Sequence, residues 1–395
     1  MKPTIIGLAL ALPTLLSAQP AIRSSNGILN ASGYQTQIAP GTVFVIFGSA
    51  LGPATIQTAS GPTYPTVLAG TSVTFTPTGG GTPIDARIVY TLASQVAGIL
   101  PSSIPPGSYA VTVTYNARTS PPQNAVVVAR SFGIATSNSA GTGEAQATIG
   151  NVNGGISLVR QTSGSVSFGG YTWTLSPAHP GDTLVLWGTG GGADPANDTG
   201  GTSGDQTAIG KFSVDVAGTP IVPLYAGTSS GYAGLWQINF ALPLSIQPDC
   251  ATGIQVSAGG QLSNRVTIAI AQAGQTSCPL PNLNGVWSGA ASDSSGPGTM
   301  TWKLTQTGVT VSGTMQAATP SGAVAFTGSF SGTLSGATLP FTINVPAGGV
   351  TGQPTCTVIM TGTVTSITAS TLSGTYSGSS CGGPFSNGQF KLTKQ

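Results

Sequence analysis

Ala39-Pro40-Gly41 leads into Val43-Phe44-Val45-Ile46-Phe47-Gly48, and later His179-Pro180-Gly181-Asp182 leads into Leu184-Val185-Leu186-Trp187-Gly188. Each is a Pro-Gly turn followed at once by a short apolar run, the pattern of a buried strand entered through a tight turn. Working outward, the echo continues. Thr82-Pro83-Ile84 recurs as Thr219-Pro220-Ile221, each ahead of a tyrosine, Tyr90 and Tyr225. Gln95 precedes Pro101 by six residues, as Gln237 precedes Pro243, and Asn124-Ala125-Val126 has its counterpart in Asn264-Arg265-Val266. The four offsets lie between 137 and 142, a register that chance similarity in a Gly/Thr-rich chain would not keep. Two related β-units are therefore expected, over 27–136 and 160–274. Tyr109, Val111, Val113 and Tyr115 alternate with Ala110, Thr112 and Thr114, so one face of that strand points inward. About seven such strands per hundred residues predict an immunoglobulin-like β-sandwich in each unit. The Cys–Trp–Cys pattern of antibody domains is absent, so the likeness is architectural.

Composition agrees with an all-β chain. The 395 residues include 58 Gly and 29 Pro, 39% are hydrophobic and only 5% charged, which excludes the charge-rich composition of disorder. Glu144 is the only glutamate, and no long stretch carries apolar residues at helical spacing. A net charge of +2 with scattered basic residues excludes a nucleic-acid-binding surface. Lys2 followed by the apolar run Ile5 to Leu16 and the small pair Ser17-Ala18 reads as a signal peptide over 1–18. The run is shorter than the roughly 20 residues a bilayer needs, and no later stretch reads as a transmembrane helix in the mature chain. No cysteine follows the run to carry a lipid anchor. The expected location is secreted or cell-surface.

Cys250, Cys278, Cys356 and Cys381 suit an oxidising compartment. Of the three possible connectivities, Cys250–Cys278 and Cys356–Cys381 keep each bridge within one apparent unit. Each loop of about 25–30 residues would contribute about 3–4 kcal/mol in the chain-entropy model. Zinc is the competing use, but no CxxC pair is present.

Residues 282–395 have another rhythm. Met300, Trp302 and Leu304 alternate with Thr301 and Lys303, and the same period runs through Phe326-Gly328-Phe330-Gly332-Leu334, Leu339-Phe341-Ile343-Val345 and Leu372-Gly374-Tyr376. About eight strands with one apolar face predict a small antiparallel β-barrel or sandwich. An outer-membrane barrel is a further option, set against short strands and the terminus Lys394-Gln395, which lacks an aromatic.

The stretch Ala233-Gly234-Leu235-Trp236-Gln237-Ile238-Asn239-Phe240, running to Pro243 and then to Ser263-Asn264-Arg265-Val266-Thr267-Ile268, resembles the Solibacter-type uncharacterised C-terminal domain family, as do Pro40-Gly41 and Ile46-Phe47-Gly48. The resemblance covers about 230 residues. It implies an exported protein with immunoglobulin-like copies and carries no established activity. The first copy departs from the pattern, with Ala97 where the second has Asn239. Asn284-Gly285-Val286-Trp287 and the repeated Ser-Gly-Thr turns are similar to avidin- or lipocalin-type barrels.

Catalytic constellations are scarce. The single histidine, His179, sits in a turn beside Pro180, and the sequence nominates no nucleophile or orienting partner for it. Asp293 is the only acid after residue 282, which excludes a paired-carboxylate glycosidase site there. Gly190-Gly191-Gly192 lacks the Lys-Ser/Thr of a phosphate loop. No cofactor is implied. Asp194, Asp198 and Asp205 with Asn197 form a Gly-rich loop that is a candidate Ca²⁺ ligand set or else a solvated turn. Among five tryptophans, Trp287 and Trp302 in the third unit are the candidate ligand-binding platforms, against core packing. The sequence thus predicts a non-catalytic adhesion or binding protein with an extracellular polysaccharide or cell-surface partner. A small-molecule or lipid carrier built on the last unit is the alternative, and an exported hydrolase using Asp182 or Asp194–Asp205 a remote one.

Overall fold

The computed structural model describes residues 18–150, 155–334 and 338–395. The leader expected over 1–18 thus lies, apart from Ala18, outside the described residues. Helix among the described residues is limited to two single turns, Pro195–Thr199 and Thr207–Gly210. Everything else that is regular is strand.

Two two-sheet sandwiches come first. In one sheet of the first, Val43–Ser49 lies between Ala21–Ile22 and Gln95–Ile99, followed by Arg87–Leu92 and Gln57–Thr58. The facing sheet runs Gln37–Ile38, Gln123–Val127, Gly107–Tyr115, Thr71–Pro77, Ile84–Asp85. Their alternating inward residues meet in one core that includes Phe44, Ile46, Val73, Phe75, Ile88, Val111 and Val113. Phe44 and Phe75 cross between the sheets edge-to-face at 5.4 Å.

The second sandwich repeats the pairing order. Thr183–Thr189 pairs Trp236–Ala241 and that strand pairs Tyr225–Thr228, just as Val43–Ser49, Gln95–Ile99 and Arg87–Leu92 follow one another. Opposite them, Val266–Ile270, Asp249–Ala258 and Ser213–Val216 repeat Gln123–Val127, Gly107–Tyr115 and Thr71–Pro77. Even the unusual parallel pairing recurs: Val127 pairs Ile38, and Ile270 bridges Ala178. The matching offsets in sequence therefore mark matching strands. The pairing reaches further toward the N-terminus than the expected limits: Ala21–Ile22 joins the first sandwich, and Gly133–Ile134, Ala147–Gly150 and Ile156–Val159 join the second. These strands are two to four residues long, too short for periodicity to register them.

One connection differs greatly in length between the copies. Twelve residues, 31–42, separate Ile28–Asn30 from Val43–Ser49, whereas thirty-two, 151–182, separate Ala147–Gly150 from Thr183–Thr189. The added chain contributes Ile156–Val159 and the hairpin Gly164–Phe168 with Tyr171–Ser176, which extends the sheet outward. The sandwiches also bind each other directly. Asn30 Nδ2 donates to the Thr189 carbonyl at 3.3 Å, Val43 N to Thr189 Oγ1 at 2.8 Å, and Ser102 Oγ to Asp198 Oδ1 at 3.0 Å.

Residues 285–394 form a closed eight-stranded up-and-down barrel: Gly285–Asp293, Gly296–Thr307, Thr310–Ala318, Val324–Thr333, Leu339–Val345, Val358–Ile367, Thr371–Ser380 and Gly383–Lys394, the last pairing the first. The apolar face points inward, with Trp287, Trp302, Met315, Ile343, Val364 and Leu392 among its buried residues. Outward positions are Thr, Ser, Gln and Lys, such as Lys303, Thr305, Gln316, Ser329 and Lys391. This is the reverse of the apolar exterior lipid requires, and it corrects the outer-membrane option. Inward glycines make room for rings: a Cβ at Gly374 would sit 2.8 Å from the Phe390 ring, and one at Gly362 2.5 Å from that of Phe341. No helix among the described residues is long and apolar enough to cross a membrane.

Both disulfides join neighbours in sequence. Cys250–Cys278 has a Cα–Cα distance of 5.1 Å and Cys356–Cys381 one of 5.6 Å, both ordinary spacings.

Candidate functional site

The barrel interior is filled at one end and open at the other. At the filled end Trp302 packs on Phe330, Phe341 and Phe390 with ring centroids 4.9, 5.1 and 4.9 Å away. Leu283, fully buried, accepts from Trp287 Nε1 through its carbonyl at 2.9 Å and closes that mouth. At the other end the inward positions become small or pliant. Ala291, Met300, Ala317, Phe326, Val358, Met360, Tyr376 and Phe385 surround a cavity of about 340 Å³. That volume is at the lower end of small-molecule sites, and an apolar lining with a few polar groups is their usual composition. The loop residues Val350, Gln353 and Cys356 form one rim, and Ser380 and Gly382 another. The Cys356–Cys381 bridge ties these two rims together, and Cys381 N donates to Cys356 Sγ at 3.4 Å.

One polar pair faces this cavity. Tyr376 Oη donates to Asp293 Oδ2 at 3.0 Å, while Ser295 N donates to Oδ1 at 2.7 Å. Burial, aided by the bond to Asp293, pushes the Tyr376 phenol up, so it stays protonated and keeps donating. The strand register carries Tyr376 to this end, opposite Gly362 on one side and Gly388 on the other. Eighty-three residues separate Tyr376 from Asp293, and no local motif announces the pair.

The candidates named from sequence fall elsewhere. Trp287 and Trp302 are both 0% exposed. They are core residues of the filled end, and this corrects their reading as ligand platforms. Trp302 Nε1 is buried without a hydrogen-bond partner. Asp194, Asp198 and Asp205 serve three separate tasks. Asp194 accepts from Ala196 N and Ser203 N and from the hydroxyls of Ser203 and Thr228. Asp198 accepts from Ser102 of the other sandwich, and Asp205 caps a turn by accepting from Thr207 N, Thr207 Oγ1 and Ala226 N. Among the described residues no three metal-binding side chains cluster. This loop is a hydrogen-bonded turn, the second of the two readings of its sequence, and its carboxylates accept from donors of the protein itself. His179 is held on both sides, with Nδ1 3.4 Å from Asp182 Oδ2 and Nε2 2.9 Å from the Gln275 carbonyl. Asn239 lies on Trp236–Ala241, and its Oδ1 is buried without a partner.

A second surface was missed from sequence. In the added hairpin, Val166 pairs Trp173 and Phe168 pairs Tyr171, so all four share one face. Phe168 and Trp173 stack at 5.4 Å with 14° between ring planes, and Tyr171 is 71% exposed. No charged residue occurs from Gln161 to Ala178. The signal was present in Val166-Ser167-Phe168-Gly169-Gly170-Tyr171-Thr172-Trp173, an alternating pattern around a Gly-Gly turn.

No family model and no curated protein matches the chain. Solved structures match parts of the chain at low similarity. A redesigned β-barrel bound to DFHBI is 16% identical with a TM-score of 0.23, covering 28% of this chain and 94% of its own. The SGBP-B protein of a Bacteroides ovatus mixed-linkage glucan utilization locus, in complex with a mixed-linkage heptasaccharide, is 9% identical with a TM-score of 0.28, covering 70% of this chain and 59% of its own. SGBP-B from a xyloglucan utilization locus of Bacteroides uniformis is 11% identical with a TM-score of 0.19, covering 76% of this chain and 67% of its own. No conclusion about this chain rests on them.

Proposed function

We propose that this is an exported, non-catalytic binding protein that holds a small, largely apolar molecule in the open end of its barrel, with the two sandwiches as its spacer. The observation that carries this reading is the 340 Å³ cavity, lined by Ala, Met, Val and Phe side chains around one Asp–Tyr pair. Export is supported by the two disulfides and by the leader-like N-terminal sequence. A non-catalytic role is supported by the commitment of His179, Asp194 and Asp205 to turns and backbone groups. Membership of the sandwiches in the Solibacter-type family is part of the same proposal, supported by their Pro-Gly leads and repeated strand order.

Naphthylamine, a neutral two-ring fluorophore of pocket size, tests the reading. Its emission is expected to rise saturably at one site per chain. Ala317→Phe, which fills the cavity from its wall, should weaken binding at least about tenfold. Ala325→Trp at the rim should do the same if the interior substitution disturbs folding. Absence of saturable binding, or equal binding by both variants, sinks the reading.

A second reading is carried by the hairpin. Its two stacked rings, exposed Tyr171 and uncharged surroundings suit the flat CH face of a neutral sugar, which would make the protein a polysaccharide adhesin as well. Retention on insoluble cell-wall or plant glycans is expected to fall several-fold in the double variant Phe168→Ala/Tyr171→Ala, with the melt unchanged because both side chains are exposed. Equal retention by the double variant would remove the hairpin from consideration.

A further inference from the structure

The barrel's charges restrict which molecules its cavity accepts. Resting on the reading of that cavity as a ligand site, we infer that its ligand is neutral or cationic, with a hydrogen-bond donor on an otherwise apolar body of one or two rings. Anionic amphiphiles, fatty acids included, are rejected.

Asp293 is the only acidic side chain between residues 282 and 395, where the bases are Lys303, Lys391 and Lys394 alone. None of the three lysines lines the cavity. Lys394 Nζ lies 5.1 Å above the Trp287 ring, at the filled end, and Lys303 and Lys391 are exposed on the outer face. The cavity wall therefore presents one carboxylate with no cation to offset it. A ligand carboxylate entering here would meet like charge in surroundings poor in water, where that repulsion is far stronger than in bulk solvent.

Hydrogen bonding points the same way. Beside the Asp–Tyr pair the polar hydrogens are already used: Tyr376 Oη and Ser295 N donate to Asp293, and the unpaired side-chain donors of the lining, on Ser295, Thr299 and Gln353, belong to exposed residues of the rim. What remains at the pair itself is acceptor capacity, on both Asp293 oxygens and on Tyr376 Oη. An N–H or O–H group on a ligand completes these lone pairs, whereas a ligand that only accepts leaves them unmet. The body of the ligand is set by the rest of the lining. Met300 and Met360 supply flexible thioethers that adapt to a flat ring, Phe326 and Phe385 supply ring edges or faces, and Ala291 and Ala317 leave the space. Naphthalene-sized molecules suit the volume.

Naphthylmethylamine, naphthylmethanol and naphthoate share one ring system and differ in charge and donor. Calorimetric titration of the full chain with each is expected to show the amine and the alcohol binding and naphthoate at least about tenfold weaker. Asp293→Asn keeps an acceptor for Tyr376 and removes the charge, so the gap between amine and naphthoate should close. Naphthoate binding as tightly as the alcohol overturns the inference while leaving the ligand site standing, as does an unchanged preference in Asp293→Asn. Binding of none of the three overturns the ligand site and the inference together.

Discussion

Trp302→Ala is expected to unfold the barrel at temperatures where the native chain is intact. The side chain is fully buried and touches three aromatic rings at 4.9–5.1 Å. Removing it leaves a void that eight hydrogen-bonded strands in a closed ring cannot collapse to fill. Truncations of this kind cost about 3–5 kcal/mol, against the about 5–15 kcal/mol by which whole domains are stable. The barrel transition, followed by near-ultraviolet circular dichroism, should drop by well over about 10 °C. A drop of only a few degrees would mean that the ring cluster does not hold the barrel together. Trp302→Phe is a sharper control. Because Nε1 has no partner, the phenylalanine loses volume and no hydrogen bond, so it should cost about 1–2 kcal/mol.

The second large effect concerns Asp194, which is 1% exposed and gathers two backbone N–H groups and two hydroxyls. Burial raises its carboxyl pKa, but the bonds from Ser203, Thr228 and Ala196 outweigh that and hold it below the ordinary value. Bonds from Thr207 and Ala226 lower Asp205 in the same way. A depressed folded-state pKa means that the unfolded chain binds more protons near that pH. The stabilisation is therefore full above the unfolded value of about 4 and is lost as pH falls through the folded one. Asp194→Ala is expected to cost about 3 kcal/mol at neutral pH by stranding four donors. The variant should also lose part of the acid sensitivity that the native second sandwich shows as pH falls below about 4. Urea titrations at pH 7 and pH 3 measure both; an equal penalty at the two pH values would refute the assignment.

Much of this architecture was readable in the chain. Repeated Pro-Gly leads with constant offsets gave the paired strands because a turn residue and the run behind it fix both position and direction. Alternation in Met300, Trp302 and Leu304 gave the barrel. The same alternation also placed Trp302 on the inward face, which favoured core packing over a ligand platform. The added hairpin stayed hidden because its strands lie outside the core and bury little, leaving only the Gly-Gly turn to mark it. The cavity was not legible at all. It depends on which inward positions of eight strands come to the same end of the barrel, a matter of register rather than composition. Asp293 and Tyr376 become neighbours only once Gly383–Lys394 has closed onto Gly285–Asp293.

Closure has a further bearing on how the molecule behaves at high concentration. Every barrel strand has both flanks paired, so that part offers no row of free amides on which a foreign strand could grow. The added hairpin is different: Gly164–Phe168 ends its sheet with one flank unpaired, beside exposed aromatic rings. Exposed edges of this kind are where sheets of separate molecules merge into aggregates. Of the sheet margins in the two sandwiches, this five-residue one lies beside exposed aromatic rings, and Val166→Lys is the natural substitution to guard it.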